Sequence, residues 1–431
     1  MRRWLVGIGA FALVVGCVWT TRALRGHGAA NGYELLVSTG DDVPAAAKLA
    51  SLTAVTAVDT PPSFAGLDLI HPILGAESAM AALDGKRTAR LTIDASLQRA
   101  TNAILVRHKI PEAAVVMIDP ATGQVLVYAS HVETGVKRDL CAEAKAPSAS
   151  VFKIVTASAL VDKAGLGPNT RECYAGGGDQ RILQSDLVVD PLRDKYCVTL
   201  SQAMGKSTNA VFARLASRDL TQAQLEGTAR SLGYGDPVPF DVAVAPSKLE
   251  IPDSGLAFAR TAAGFWNTTL SPLEAAWMSA TIAHGGEALR PYVVQDVRDE
   301  HGQITWTARN ATVVRQALSK DTAAAVAAMM DHTVSEGTSF RAFHDKRGTS
   351  FLPWAAAGKT GTLTDSDGQH FYTWFTGFAP AHPKPGEKQV AIAVLVVNGP
   401  KWQVKANVVA REVLQAYFKD AAKDAKTVAT K

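Results

Sequence analysis

The sequence predicts an α/β fold in which one sheet, built from strands far apart along the chain, is covered by helices. Three observations predict it. "AAVVMIDPATGQVLVYAS" (113–130) is two β-rich runs around a turn containing Pro120 and Gly123. "AAAGKTGTL" (355–363), "HFYTWFTGFAP" (370–380) and "QVAIAVLVVNG" (389–399) supply three more strand patterns at the other end of the chain. Helical periodicity dominates the region between them.

The elements follow in order. "MRRWLVGIGAFALVVGCVWTTRALR" (1–25) places two arginines before an uncharged apolar run from Trp4 to Trp19. That arrangement reads as a membrane anchor or signal segment that exports everything downstream. Within it "VVGC" (14–17) resembles a lipoprotein cleavage box, with Cys17 as the lipidated residue; Val18 and Trp19 fit a continuing span better. Residues 26–86, with small residues and scattered prolines, read as a linker or small N-terminal region carrying one or two short helices. At residue 87 the character changes. "RTARLTIDASLQRATNAILVRH" is a short strand and then a Ser-capped amphipathic helix. Residues 148–235 are helical patterns broken by a Gly-rich loop, and 268–286 is a helix stopped by Gly285 and Gly286. A last amphipathic helix, "KANVVAREVLQAYFKDAAK", leads into a tail at 421–431.

Composition narrows the function. The chain has 431 residues, 47% of them apolar, and a net charge of +4, too balanced to argue for nucleic acid. Neither Cys-x-x-Cys nor His-Glu-x-x-His occurs, so no zinc site is expected. In an exported protein Cys173 and Cys197, which flank the Gly-rich segment, are candidates to close a loop, leaving Cys141 as a buried or free thiol.

Three short patterns carry chemistry. "PSASVFKIVTASAL" (147–160) holds Ser150 and Lys153 three apart where an apolar helical run begins. That spacing puts a hydroxyl and an amine on one helical face, the parts of an activated nucleophile or of an ordinary N-cap. "GKSTNAVFARLA" (205–216) carries Ser207 and Asn209 on either side of Thr208; alone, Ser207 reads as an N-cap. Lys359-Thr360-Gly361 lies in a strand, where Gly361 weakens the strand and marks a close approach by another backbone or a ligand.

Ser-x-x-Lys, Ser-x-Asn and Lys-Thr-Gly, in that order, resemble the transpeptidase domain of the penicillin-binding proteins and, more widely, the serine β-lactamase relatives. The resemblance extends to "LTIDASLQ" (91–98), the 113–130 hairpin, "LSPLEAAWMSATIAHGGEALRPYVV" and "WFTGFAP". It departs where Ser148 and Ala149 stand between Pro147 and Ser150, which makes Ser148 a decoy rather than a second nucleophile.

The resemblance implies an antiparallel sheet covered by helices plus a helical subdomain, with the domain spanning 87–420. It implies that Ser150 is the nucleophile and Lys153 its base, partly neutral through burial and the nearby cation Lys359. Ser207 is implied as the proton relay, with Lys359 supporting it. Asn209 would bind the peptide carbonyl, and Thr360, Gly361 and Thr362 the terminal carboxylate. The backbone N–H groups of Ser150 and Thr362 would form the oxyanion hole. The implied substrates are stem peptides ending in D-Ala-D-Ala, with β-lactams as inhibitors, no cofactor, and a glycan polymerase as candidate partner. The implied location is the periplasmic face of the inner membrane. Residues 26–86 are too short for a glycosyltransferase domain. Peptidoglycan D,D-transpeptidation is the expected activity; the alternatives are a D,D-carboxypeptidase or endopeptidase, or a serine β-lactamase.

Overall fold

The computed structural model describes residues 60–176, 181–309, 311–365 and 367–429. Residues 1–25, expected to be an anchor or signal segment and including Cys17, and the first part of the expected linker lie outside the described residues. Among the described residues no helix is long and apolar enough to cross a membrane.

Five strands form the central sheet: β1 (Glu112–Ile118), β2 (Val125–Val132), β3 (Ala357–Thr364), β4 (Phe371–Ala379) and β5 (Val390–Asn398). Their order is β3-β4-β5-β1-β2, and every pairing is antiparallel. The strand patterns from both ends of the chain therefore meet between β5 and β1. All of β5 is buried because both sheet faces are covered. Ala391, Ala393, Leu395 and Val397 enter one core, while Val390, Ile392, Val394 and Val396 enter the other. A period of two divides a continuous apolar run between two layers.

Helices α1 (Ala95–Arg107) and α8 (Ala406–Ala429) contribute to the second core. The other face holds α2 (Lys153–Ala164), α3 (Leu200–Lys206), α4 (Asn209–Asp219), α5 (Gly255–Ala262), α6 (Pro272–Ala283) and α7 (Lys320–Ser335). Helix α6 is buried continuously from Pro272 to Ile282, as expected of a helix that is apolar all round. Residues 171–174 and 196–199 pair as a hairpin that places Cys173 opposite Cys197, and the two form a disulfide; Cys141 is free and buried.

Several expectations need correction. Residues 73–74 and 79–83 are strands, not short helices, and pair into a second antiparallel sheet with 87–91, 294–298 and 304–307. "AMAAL" has helical propensity, but Ala79, Ala81 and Leu83 are buried in alternation, and pairing with 87–91 overrides propensity. Helix α1 is capped by Asp94, whose Oδ1 accepts from Leu97 N at 2.9 Å, and not by Ser96. The stretch after residue 420, read as the end of the last helix, is helical to Ala429 and needs no such correction.

Candidate active site

Ser150 lies in a 3₁₀ turn, Ala149–Phe152, that feeds directly into α2, and makes no side-chain cap. The turn is held from two sides. Trp374 Nε1 on β4 donates to the Pro147 carbonyl at 2.9 Å, and Ser148 N donates to Thr268 O at 3.1 Å. Ala149 adopts φ 49°, a left-handed conformation that costs a residue with a Cβ about 1 kcal/mol. Two glycines make room for it. A Cβ on Gly264 would stand 2.3 Å from the Ala149 carbonyl, and one on Gly361 would stand 3.1 Å from the Ala149 Cβ. Gly361 thus marks a close approach, and the approaching element is the turn that carries Ser150.

Lys153 begins α2 and is fully buried. Its Nζ donates to Ser150 Oγ at 2.7 Å, Asn209 Oδ1 at 2.6 Å and the Ala263 carbonyl at 2.5 Å. Ser207 ends α3 in the left-handed region at φ 58°, and Thr208 is the residue that precedes α4. The N-cap reading of Ser207 is therefore replaced: a reversal between two helices aims its Oγ at β3, where Lys359 Nζ donates to it at 2.8 Å. Lys359 is fully buried, and burial lowers its pKa to about 7. It also donates to the Thr360 carbonyl at 3.0 Å.

Ser150, Ser207, Asn209, Thr360, Gly361 and Thr362 line one cleft of about 330 Å³, with Lys153 and Lys359 buried beside it. Ser148 is buried and is not part of the lining. The remaining lining residues are Lys206, Thr338, Thr373, Trp374, Lys405, Ala406 and Asn407, so no carboxylate faces the cleft among the described residues. Sequence reasoning missed Thr338, whose Oγ1 lies 2.6 Å from Thr360 Oγ1, and also Ala263 and Trp374. Only Trp374 carried a signal, as a large residue opposite Gly361 in the β3–β4 register.

Asp365, Asp367 and His370 at the β3–β4 turn bring ligand-type atoms within 4.8 Å of one another. Asp365 Oδ1 already accepts from Gln369 N and His370 N, so the group closes the turn.

The model of the penicillin binding protein transpeptidase domain matches residues 113–416. Peptidoglycan D,D-transpeptidase PbpA of Mycolicibacterium smegmatis is 27% identical over 318 residues, covering 66% of this chain and 62% of the relative. The Mycobacterium tuberculosis protein of the same name is 31% identical over 269 residues, covering 59% of this chain and 50% of the relative. The chain thus spans between half and two thirds of the length of these relatives. The D,D-transpeptidase domain of an Eggerthella lenta peptidoglycan glycosyltransferase shares the fold, with a TM-score of 0.64 at 24% identity over 79% of this chain and 85% of that one. So does penicillin-binding protein A of M. tuberculosis in its penicillin G acyl-enzyme complex, with a TM-score of 0.60 at 24% identity over 77% and 80%.

Proposed function

The chain belongs to the penicillin-binding protein transpeptidase family, and from that premise we propose that it is a peptidoglycan D,D-transpeptidase. It cross-links stem peptides through an acyl-enzyme on Ser150 and is acylated by penicillins. The observation that carries this reading is the environment of Lys153 Nζ. Asn209 Oδ1 and the Ala263 carbonyl can only accept hydrogen bonds from it. In the charged amine the 2.7 Å bond runs from Lys153 Nζ to Ser150 Oγ; once the amine is neutral, the same contact lets the Ser150 hydroxyl donate to it instead.

Lys153 takes the Ser150 proton as Oγ attacks the carbonyl of the penultimate D-alanine. The oxyanion that forms accepts hydrogen bonds from the backbone N–H groups of Ser150 and Thr362. The amine of the departing D-alanine receives a proton through Ser207, whose Oγ is held by Lys359. Thr360 and Thr362 hold the terminal carboxylate, Gly361 lets the strand lie close to the turn, and Asn209 Nδ2 donates to the peptide carbonyl. An acceptor amine then attacks the Ser150 ester and the proton transfers run in reverse. The transpeptidase domain is assigned to 87–420, with 1–25 as anchor or signal segment, so that the catalytic body lies outside the cytoplasm beside a glycan polymerase.

The absence of a carboxylate from the described cleft lining favours a transpeptidase over a β-lactamase, since fast deacylation needs a base to activate water. Benzylpenicillin tests both points. Mass spectrometry should place a penicilloyl adduct on Ser150 that persists for many minutes and is lost in Ser150→Ala. An adduct on another serine would overturn the assignment, and sustained turnover at several per second would make the protein a β-lactamase.

A further inference from the structure

A hydroxyl that the mechanism above does not use faces the cleft from outside the three motifs. Thr338 lies in the loop that follows α7, and its Oγ1 stands 2.6 Å from Thr360 Oγ1 on β3. Both residues line the cleft.

The loop is held from two sides. Thr338 N donates to the Gly205 carbonyl of α3 at 2.9 Å, two residues before Ser207. A Cβ on Gly337 would stand 2.2 Å from that carbonyl oxygen, and one on Gly205 would stand 2.7 Å from the His332 carbonyl oxygen. The two glycines thus let α3 and the loop touch backbone to backbone. On the other side Asn407 Nδ2, at the start of α8, donates to Ser339 Oγ at 3.3 Å. Fixed to α3 and α8 in this way, the loop sets the Thr338 hydroxyl against Thr360.

We propose that Thr338 is a positioning residue for the substrate carboxylate: its hydroxyl donates to Thr360 Oγ1 and so aims the Thr360 proton into the cleft. This rests on the reading of Thr360 as a carboxylate ligand. A carboxylate only accepts hydrogen bonds, and a threonine hydroxyl has one proton to give. Once Thr360 gives its proton to the carboxylate, its contact with Thr338 can run in one direction only, from Thr338 to Thr360. Donation from Thr338 also polarises the Thr360 O–H, which strengthens its bond to an anion. Without the Thr338 hydroxyl, Thr360 loses that donor and its own hydroxyl is free to turn away from the ligand. Thr338 therefore favours ligands with a free carboxylate and does nothing for ligands in which that group is blocked.

The experiment measures second-order acylation rate constants of the full chain with benzylpenicillin and with its methyl ester, in which the carboxylate is blocked. In Thr338→Val the wild-type preference for the acid over the ester should fall about tenfold, the loss expected of a hydrogen bond to a charged group. The ester should acylate both proteins at similar rates. Thr338→Ser, which keeps the hydroxyl, should restore the preference. Thr360→Val should also lose it, and Thr338→Val/Thr360→Val should lose no more than Thr360→Val alone, because one residue acts through the other. Should Thr338→Val fail to fold, Thr338→Ala makes the same comparison. Equal slowing of acid and ester in Thr338→Val, or a Thr338→Ser enzyme as impaired as Thr338→Val, overturns the proposal. So does an additive loss in the double variant, which would put the Thr338 hydroxyl on the ligand itself. These outcomes leave the reading of Thr360 standing as long as Thr360→Val loses the preference. A Thr360→Val enzyme that keeps the full preference sinks that reading and the proposal with it, and a wild type that benzylpenicillin does not acylate sinks the transpeptidase reading as well.

Discussion

A Cβ added at Gly361 would stand 3.1 Å from the Ala149 Cβ and 3.3 Å from the Trp374 Cβ, between the turn that carries Ser150 and the strand whose Trp374 holds that turn. Overpacking a site of this kind costs about 1–3 kcal/mol. Gly361→Ala should therefore lower stability by about that amount and slow acylation by about tenfold or more, because the strain falls on the Ser150 turn. Denaturant unfolding and penicillin acylation rates check the two effects separately. Lys359 offers a pH test. Its folded pKa of about 7 lies below the ordinary lysine value of 10.5, so between these the unfolded chain binds the extra proton and stability rises with pH. Lys359→Met removes that term. Its stability gain over the wild type should be largest below pH 7 and shrink towards pH 10, by an amount on the order of 4 kcal/mol at most. A gain that grows with pH would show that Lys359 is not buried as a poorly solvated cation.

At the scale of elements, the hairpin of 171–174 and 196–199 is fastened twice. One fastening is the Cys173–Cys197 disulfide. The other is Arg214 of α4, nearly fully buried, which meets Asp194 at 2.7 Å, Glu172 at 3.3 Å and the Cys173 carbonyl at 2.6 Å. Removing the guanidinium leaves two carboxylates buried without it, a change that costs about 3–5 kcal/mol. Arg214→Met should show that loss in thermal unfolding. Breaking the disulfide, which spans 24 residues, should cost about 3 kcal/mol through the freed unfolded chain. Neither change touches the cleft lining, so folded protein should acylate within a few-fold of the wild type. A far larger loss would mean that the hairpin sets the position of α3 and α4, and with it Ser207 and Asn209.

Across the whole molecule, the cleft is a seam between the edge strand of the sheet and the helical layer, and its charge is one-sided. Lys206 at the end of α3 and Lys405 at the start of α8 both line it and make no ion pair among the described residues. A cleft with cations and no carboxylates draws anionic ligands, and salt screens that attraction. The Lys206→Ala/Lys405→Ala double variant should lower the second-order acylation rate by several-fold at low ionic strength. Its salt dependence should be flatter than that of the wild type. Equal salt slopes would show that these lysines do not steer the ligand.

The sequence by itself determined the strands of the central sheet, the order of the three motifs and the residues that the fold gathers at one cleft. These are local statements: an apolar period, a glycine or proline at a turn, or residues three apart on one helix survive in any packing. Lys153 beside Ser150 is of this kind. The tertiary structure alone decided what required distant segments to meet. Helical propensity at 79–83 lost to pairing with 87–91, and the cap of α1 passed from Ser96 to Asp94. Ser207 became a left-handed end to α3 because its hydroxyl is held by Lys359, 152 residues away. The Ala263 carbonyl on Lys153 and Thr338 on Thr360 had no signature, since a backbone carbonyl or a lone hydroxyl looks the same at every position until folding buries it. The protonation of Lys359 also belongs to the fold, because its pKa is set by how much water the packed chain removes from it.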